Sequence, residues 1–177
     1  TSSRLPIPEP PIFTGDPLLY QDWLFSFQWL IENRGVPPVE KIHYLKRYLG
    51  GPAKEAIAGF FMLRSENAYQ RARDVLEQRF GNQFVISEAF RTKLDTWPSV
   101  YNKDKAGLRK LSDFLLQCLA AVEEVKDLRI LDDVREIQKI TAKLPDWMVH
   151  RWNRKTASSR RDFGRSEERR VGKECLE

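Results

Sequence analysis

The side chains that could do chemistry are few and scattered. His43 and His150 are the only two histidines of the chain. They lie far apart in the chain with no recognisable cysteine or carboxylate pattern around them, so each is expected to be a surface or partly buried structural residue. The two cysteines, Cys118 and Cys175, form no Cys-x-x-Cys or Cys/His cluster. Neither a zinc knuckle nor a disulfide framework is therefore expected, and a reducing, intracellular, cytoplasmic location fits. Cys118 falls on an apolar helical stripe, where a core thiol is expected over a nucleophile. Ser112-Asp113 matches no catalytic frame. Adjacent Glu123 and Glu124 would point in different directions on a helix, which predicts a solvated face. Gly50-Gly51-Pro52 reads as a helix stop and restart, not a phosphate loop. No nucleophile, base and oxyanion donor can be named together, so the expectation is a non-enzyme without cofactor or metal.

Binding chemistry is easier to place. The 177 residues carry a formal charge of +5. Residues 151–177 hold nine basic and five acidic side chains, a net of +4, which leaves the preceding body near neutral. The basic surplus lies in Arg151, Arg154, Lys155, Arg160 and Arg161. These are candidate contacts to RNA phosphates, with strong salt dependence; the plain alternative is a solvated tail after the last helix. A near-neutral body weighs against a compact nucleic-acid-binding module. No apolar run is long enough to span a membrane, and no signal pattern opens the chain.

The elements that must position these residues read as helices throughout. Hydrophobic residues make up 41% and charged residues 31%, a globular composition. Prolines at 6, 8, 10 and 11 predict an extended arm over residues 1–12. Asp16-Pro17 then opens a helix, with Asp16 as N-cap and Pro17 at the first helical position. Tyr20, Trp23, Leu24, Phe27, Leu30 and Ile31 form its stripe, and Gly35 with Pro37-Pro38 stops it. The second helix starts near Pro38 and carries Ile42, Leu45, Tyr48 and Leu49. Pro52 opens a third with Ala53, Ala56, Ile57, Phe60 and Phe61. Ser65 or Asn67 caps a fourth with Ala68, Ala72, Val75, Leu76 and Phe80. The pattern restarts after Gly81-Asn82 with Ile86, Ala89, Phe90, Leu94 and Trp97. Leu108, Leu111, Leu115, Cys118, Leu119 and Val122 make the longest stripe. Val134, Ile137, Ile140 and Leu144 follow, and Pro145 starts a last short helix with Trp147, Met148 and Trp152. No strand-like alternation appears. The expected fold is all-α: two bundles of about four helices, residues 13–82 and 83–158, jointed at Gln83 to Val85.

Several of these segments together resemble the Gag proteins of BEL/Pao retroelements. The resemblance lies in Phe13-Thr14-Gly15-Asp16-Pro17 with Tyr20, Trp23 and Phe27, and in Lys46 to Lys54. It continues through Ala72 to Leu76, Arg79-Phe80-Gly81-Asn82, Ala89 to Leu94 and Trp97-Pro98. Leu111 to Leu115, Lys143-Leu144-Pro145 and Arg151-Trp152 complete it. The likeness covers about residues 6–155, and it is the serial order that is specific. The same two-lobe plan is known in gypsy-type Gag, retroviral capsid proteins and the neuronal Arc protein. What the resemblance implies is a capsid region that self-assembles into a shell around element RNA. The second lobe would pair as a dimer, and the RNA would be held by the basic tail or by a region downstream. A domesticated adaptor that binds a host protein is one alternative function, and an autonomous helical nucleic-acid-binding module is the other.

Two surfaces are candidates for self-association. Trp29 falls off the buried stripe of the first helix and is expected to be partly exposed, while most of the five tryptophans are expected in the core. Leu128, Ile130 and Leu131 form an apolar cluster suited to dimer burial. Arg165 to Cys175 resembles the translation of a sequencing adapter, and Leu176-Glu177 a cloning-site remnant. Residues 159–177 are therefore expected to be a disordered tail.

Overall fold

Proline and glycine punctuation, together with helical spacing of apolar residues, produces an all-α chain. The computed structural model describes residues 8–63, 65, 67–122, 125 and 134–158, and among these no strand occurs beyond one isolated bridge. The helices are α1 (Pro17–Leu30), α2 (Pro38–Tyr48), α3 (Gly51–Ala56), α4 (Asn67–Leu76), α5 (Gln83–Asp95), α6 (Lys105–Val122) and α7 (Val134–Thr141). A further helix, α8, covers residues 146–158. Two compact units divide the chain, the first running through Lys93 and the second beginning at Leu94, with Val125 counted in the first. Residues 83–85, expected as a joint, form the first turn of α5, and the division falls near that helix's other end.

The core of the first unit is aromatic and is closed by the arm. Asp16 Oδ1 accepts from the Leu18 N–H at 3.0 Å, and Pro17 occupies the first turn, as its fixed φ favours. Gly15, at φ 115°, supplies the left-handed bend before that cap. Phe13 is held by its own backbone: its N–H donates to Tyr48 at 3.0 Å, and its carbonyl accepts from Gly50 at 2.9 Å. Its ring thereby meets Trp23 (5.4 Å, stacked) and Tyr20 and Phe80 (5.5 and 5.4 Å, edge-on). Trp23 continues the stack onto Phe27 at 5.1 Å. Leu45, Ala53, Ile57, Ala72 and Leu76 complete this core, all fully buried. The expected third helix stops at Ala56 and continues as a 3-10 turn over Ala58–Met62, with Gly59 inside it. Beyond Leu76 the chain widens into a π turn, Glu77–Gly81. Gly81 is required there by close approach, since a Cβ would lie 2.4 Å from the Tyr20 ring.

A polar knot sits within the same unit. Arg73 Nε donates to Glu32 Oε1 at 3.1 Å, with only 12% of the arginine side chain and 20% of the glutamate exposed. The Tyr69 hydroxyl also donates to Glu32, and Arg73 Nη1 reaches the Tyr20 hydroxyl at 3.4 Å. Burial pushes both phenols well above the ordinary tyrosine range, and the Glu32 carboxylate adds to the effect at Tyr69. Both therefore stay protonated.

In the second unit, Asp104 caps α6 by accepting from the Gly107 N–H at 2.8 Å. Leu111, Phe114 and Cys118 are its buried stripe, with Trp97 stacked on Phe114 at 5.1 Å. Lys143 ties the loop after α5 to the loop after α7. Its ammonium donates to the carbonyls of Asp95 (2.8 Å) and Trp97 (2.7 Å), and its own carbonyl accepts from the Val100 N–H (2.8 Å). A cation on the terminal carbonyls of a helix is favourable both as donor and against the dipole. Lys143→Met is expected to lower the unfolding free energy of this unit by about 1.5–3 kcal/mol, the range for hydrogen bonds to a charged group. Urea denaturation is the check, and Lys143→Arg should lose less.

Candidate functional site

Helix α1 is apolar nearly all the way round. Its inner stripe is buried, and directly opposite, one turn apart, stand Phe25 and Trp29, 69% and 68% exposed. A helix with that composition normally loses all of its faces to a core. Here the outer face is left in solvent. Trp29 is placed as expected. Phe25, its neighbour on the same face, went unremarked in the sequence, although the four-residue spacing was there to be read.

The second unit carries a groove between α6 and α8 of about 790 Å³. Its walls are Leu108, Leu111, Leu115, Leu116 and Leu119 from α6, with Leu144, Met148 and Trp152 opposite. Leu119, expected as part of the core stripe, is 68% exposed. It lies one residue past Cys118, so a turn of about 100° carries it out of the core and onto the groove wall. Leu128, Ile130 and Leu131, the expected dimer cluster, lie outside the described residues.

The tryptophans depart from expectation. Trp23 is buried and Trp97 is partly so, but Trp29, Trp147 and Trp152 are exposed. Counting tryptophans does not reveal which of them sit on a helix with only one covered face. Trp147 and Trp152 lie on α8 beside Arg151, Arg154 and Lys155, all three exposed. Arg160 and Arg161, the other candidate phosphate contacts, lie outside the described residues.

His43 and His150 are exposed and Cys118 is buried, each in the setting expected for a structural role. Among the described residues no group of three or more His, Cys, Asp or Glu is placed to hold a metal ion. No described helix is long and apolar enough to cross a membrane. The indole N–H of Trp23 is the one buried side-chain polar atom without a partner among the described residues.

The family described as "Protein of unknown function (DUF1759)" matches residues 13–161. That is most of the chain, so the protein belongs to this family. The match begins at Phe13, the residue that closes the first core. No curated protein and no solved structure matches the chain.

Proposed function

We propose that this DUF1759-family chain is the capsid region of a BEL/Pao-type retroelement Gag polyprotein, and that it self-assembles into a shell around element RNA. The observation that carries the reading is the apolar surface each unit leaves in solvent. Phe25 and Trp29 supply it on α1; Leu116 and Leu119 supply it along the groove of α6. Two small helical units that each offer such a face suit repeated weak contacts, which closed symmetry multiplies into a stable particle. Support also comes from the family match, which spans nearly the same stretch as the resemblance to BEL/Pao Gag. The exposed cations of α8 suit a shell that encloses RNA.

Light scattering and negative-stain microscopy across protein and salt concentration test the proposal. The chain is expected to form particles. Phe25→Asp with Trp29→Asp is expected to raise the protein concentration needed at least about 30-fold, the equivalent of losing one interface hot spot. Both residues are already in solvent, so the double variant should fold normally. Single-copy mass at millimolar concentration, or unchanged assembly of a folded double variant, would refute the reading.

A further inference from the structure

We propose that the second unit holds single-stranded nucleic acid on a strip of exposed aromatic and cationic side chains centred on Trp147. This deepens the proposed function and rests on that reading for the strand being element RNA; the strip itself is argued from geometry.

Helix α8 sets Trp147, Arg151 and Lys155 at successive turns, one above the other. With Trp152 they line a hollow of about 250 Å³. A second hollow of about 230 Å³ opens on the other side of Trp147, between it and Tyr101, Lys103 and Lys105. Trp147 thus lines two mainly apolar hollows that also carry cationic side chains, each with a further exposed aromatic ring, Trp152 in one and Tyr101 in the other. The single acidic side chain lining either hollow is Asp104, and its carboxylate is engaged by the Gly107 N–H at the start of α6.

This pairing of groups has a specific chemistry. Flat apolar rings in water offer stacking faces to unpaired bases, while lysine and arginine between them meet the intervening phosphates. A duplex hides its base faces and would leave the rings unused. Protein interfaces are depleted in lysine, which this strip carries at three positions. The near-neutral body is no obstacle, because phosphate contacts depend on the local field.

The test uses the full chain carrying Phe25→Asp and Trp29→Asp, so that strand binding and particle formation are read separately. Fluorescence anisotropy is followed with three labelled probes: a single-stranded oligouridine, an abasic strand of equal length, and an RNA duplex. The oligouridine is expected to bind tightest. Trp147→Leu should weaken it about 5- to 100-fold, the loss of one stacked base, and leave the abasic strand unaffected. Trp147→Phe should restore most of the affinity. Arg151→Gln with Lys155→Gln should weaken all three probes and reduce the slope of log K against log salt by about 0.7 per lost phosphate contact on a single strand. Tyr101→Leu, at a position even more exposed than Trp147, gives a second reading of stacking should Trp147→Leu fail to fold. Equal binding of abasic and oligouridine strands, indifference to both aromatic replacements, or preference for duplex would overturn the inference. Such a failure leaves particle formation by the parent chain standing, and loss of particles leaves the strip standing.

Discussion

Replacing Arg73 with leucine is expected to destabilise the first unit by about 3–5 kcal/mol, a large share of an ordinary domain's total stability. The reason lies in what stays behind. Glu32 is largely buried, and Arg73 is its charge partner at 3.1 Å. Without the guanidinium, the carboxylate keeps only the Tyr69 hydroxyl as donor, and a buried charge is left uncompensated. Tyr20 also loses the group that reaches its hydroxyl. The double replacement Arg73→Leu with Glu32→Leu removes both charges. It should recover a large part of the loss, since well-packed apolar substitutes for a buried pair are often neutral. Calorimetry on the two single variants and the double variant yields the coupling energy directly. A single variant that melts like the parent would show that water already solvates the pair.

Phe13→Ala ranks next, with an expected cost of about 3–5 kcal/mol for removing a buried aromatic ring. Phe13 is 2% exposed, although it belongs to no helix. Three rings surround it, those of Tyr20, Trp23 and Phe80, so truncation opens a cavity among large planar groups that cannot easily collapse. Its backbone bonds to Tyr48 and Gly50 do not need the ring. The variant should therefore keep the arm tethered while the stack beneath loosens. Near-UV circular dichroism would show that loosening through Trp23, and guanidinium unfolding would give its size. Phe13→Leu should fall between the variant and the parent. If truncation cost less than about 1 kcal/mol, the arm would be ornament and not core.

Both predictions rest on residues whose packing roles do not show in helical spacing. Phe13 sits between prolines and a helix cap, where spacing has nothing to say. Glu32, Tyr69 and Arg73 come from two separate stretches, and charged residues at such positions normally read as solvated. Lys143 is similar: its place in Lys143-Leu144-Pro145 was visible, but its grip on the carbonyls of Asp95 and Trp97 was not.

The local grammar of the helices is written in the chain. Asp16-Pro17, Pro38 and Pro52 open helices, and Tyr20, Trp23, Phe27 and Leu30 make the buried face of α1. These follow from backbone sterics and a 3.6-residue repeat, both of which act within a few residues. The tertiary structure alone decided which helix faces stay uncovered, where the chain divides, and which buried charges meet. It put Trp147 and Leu119 in solvent, set the division between Lys93 and Leu94, and brought Arg73 to Glu32. Those outcomes depend on which elements pack together across long stretches of chain, and that information is not carried by any one segment.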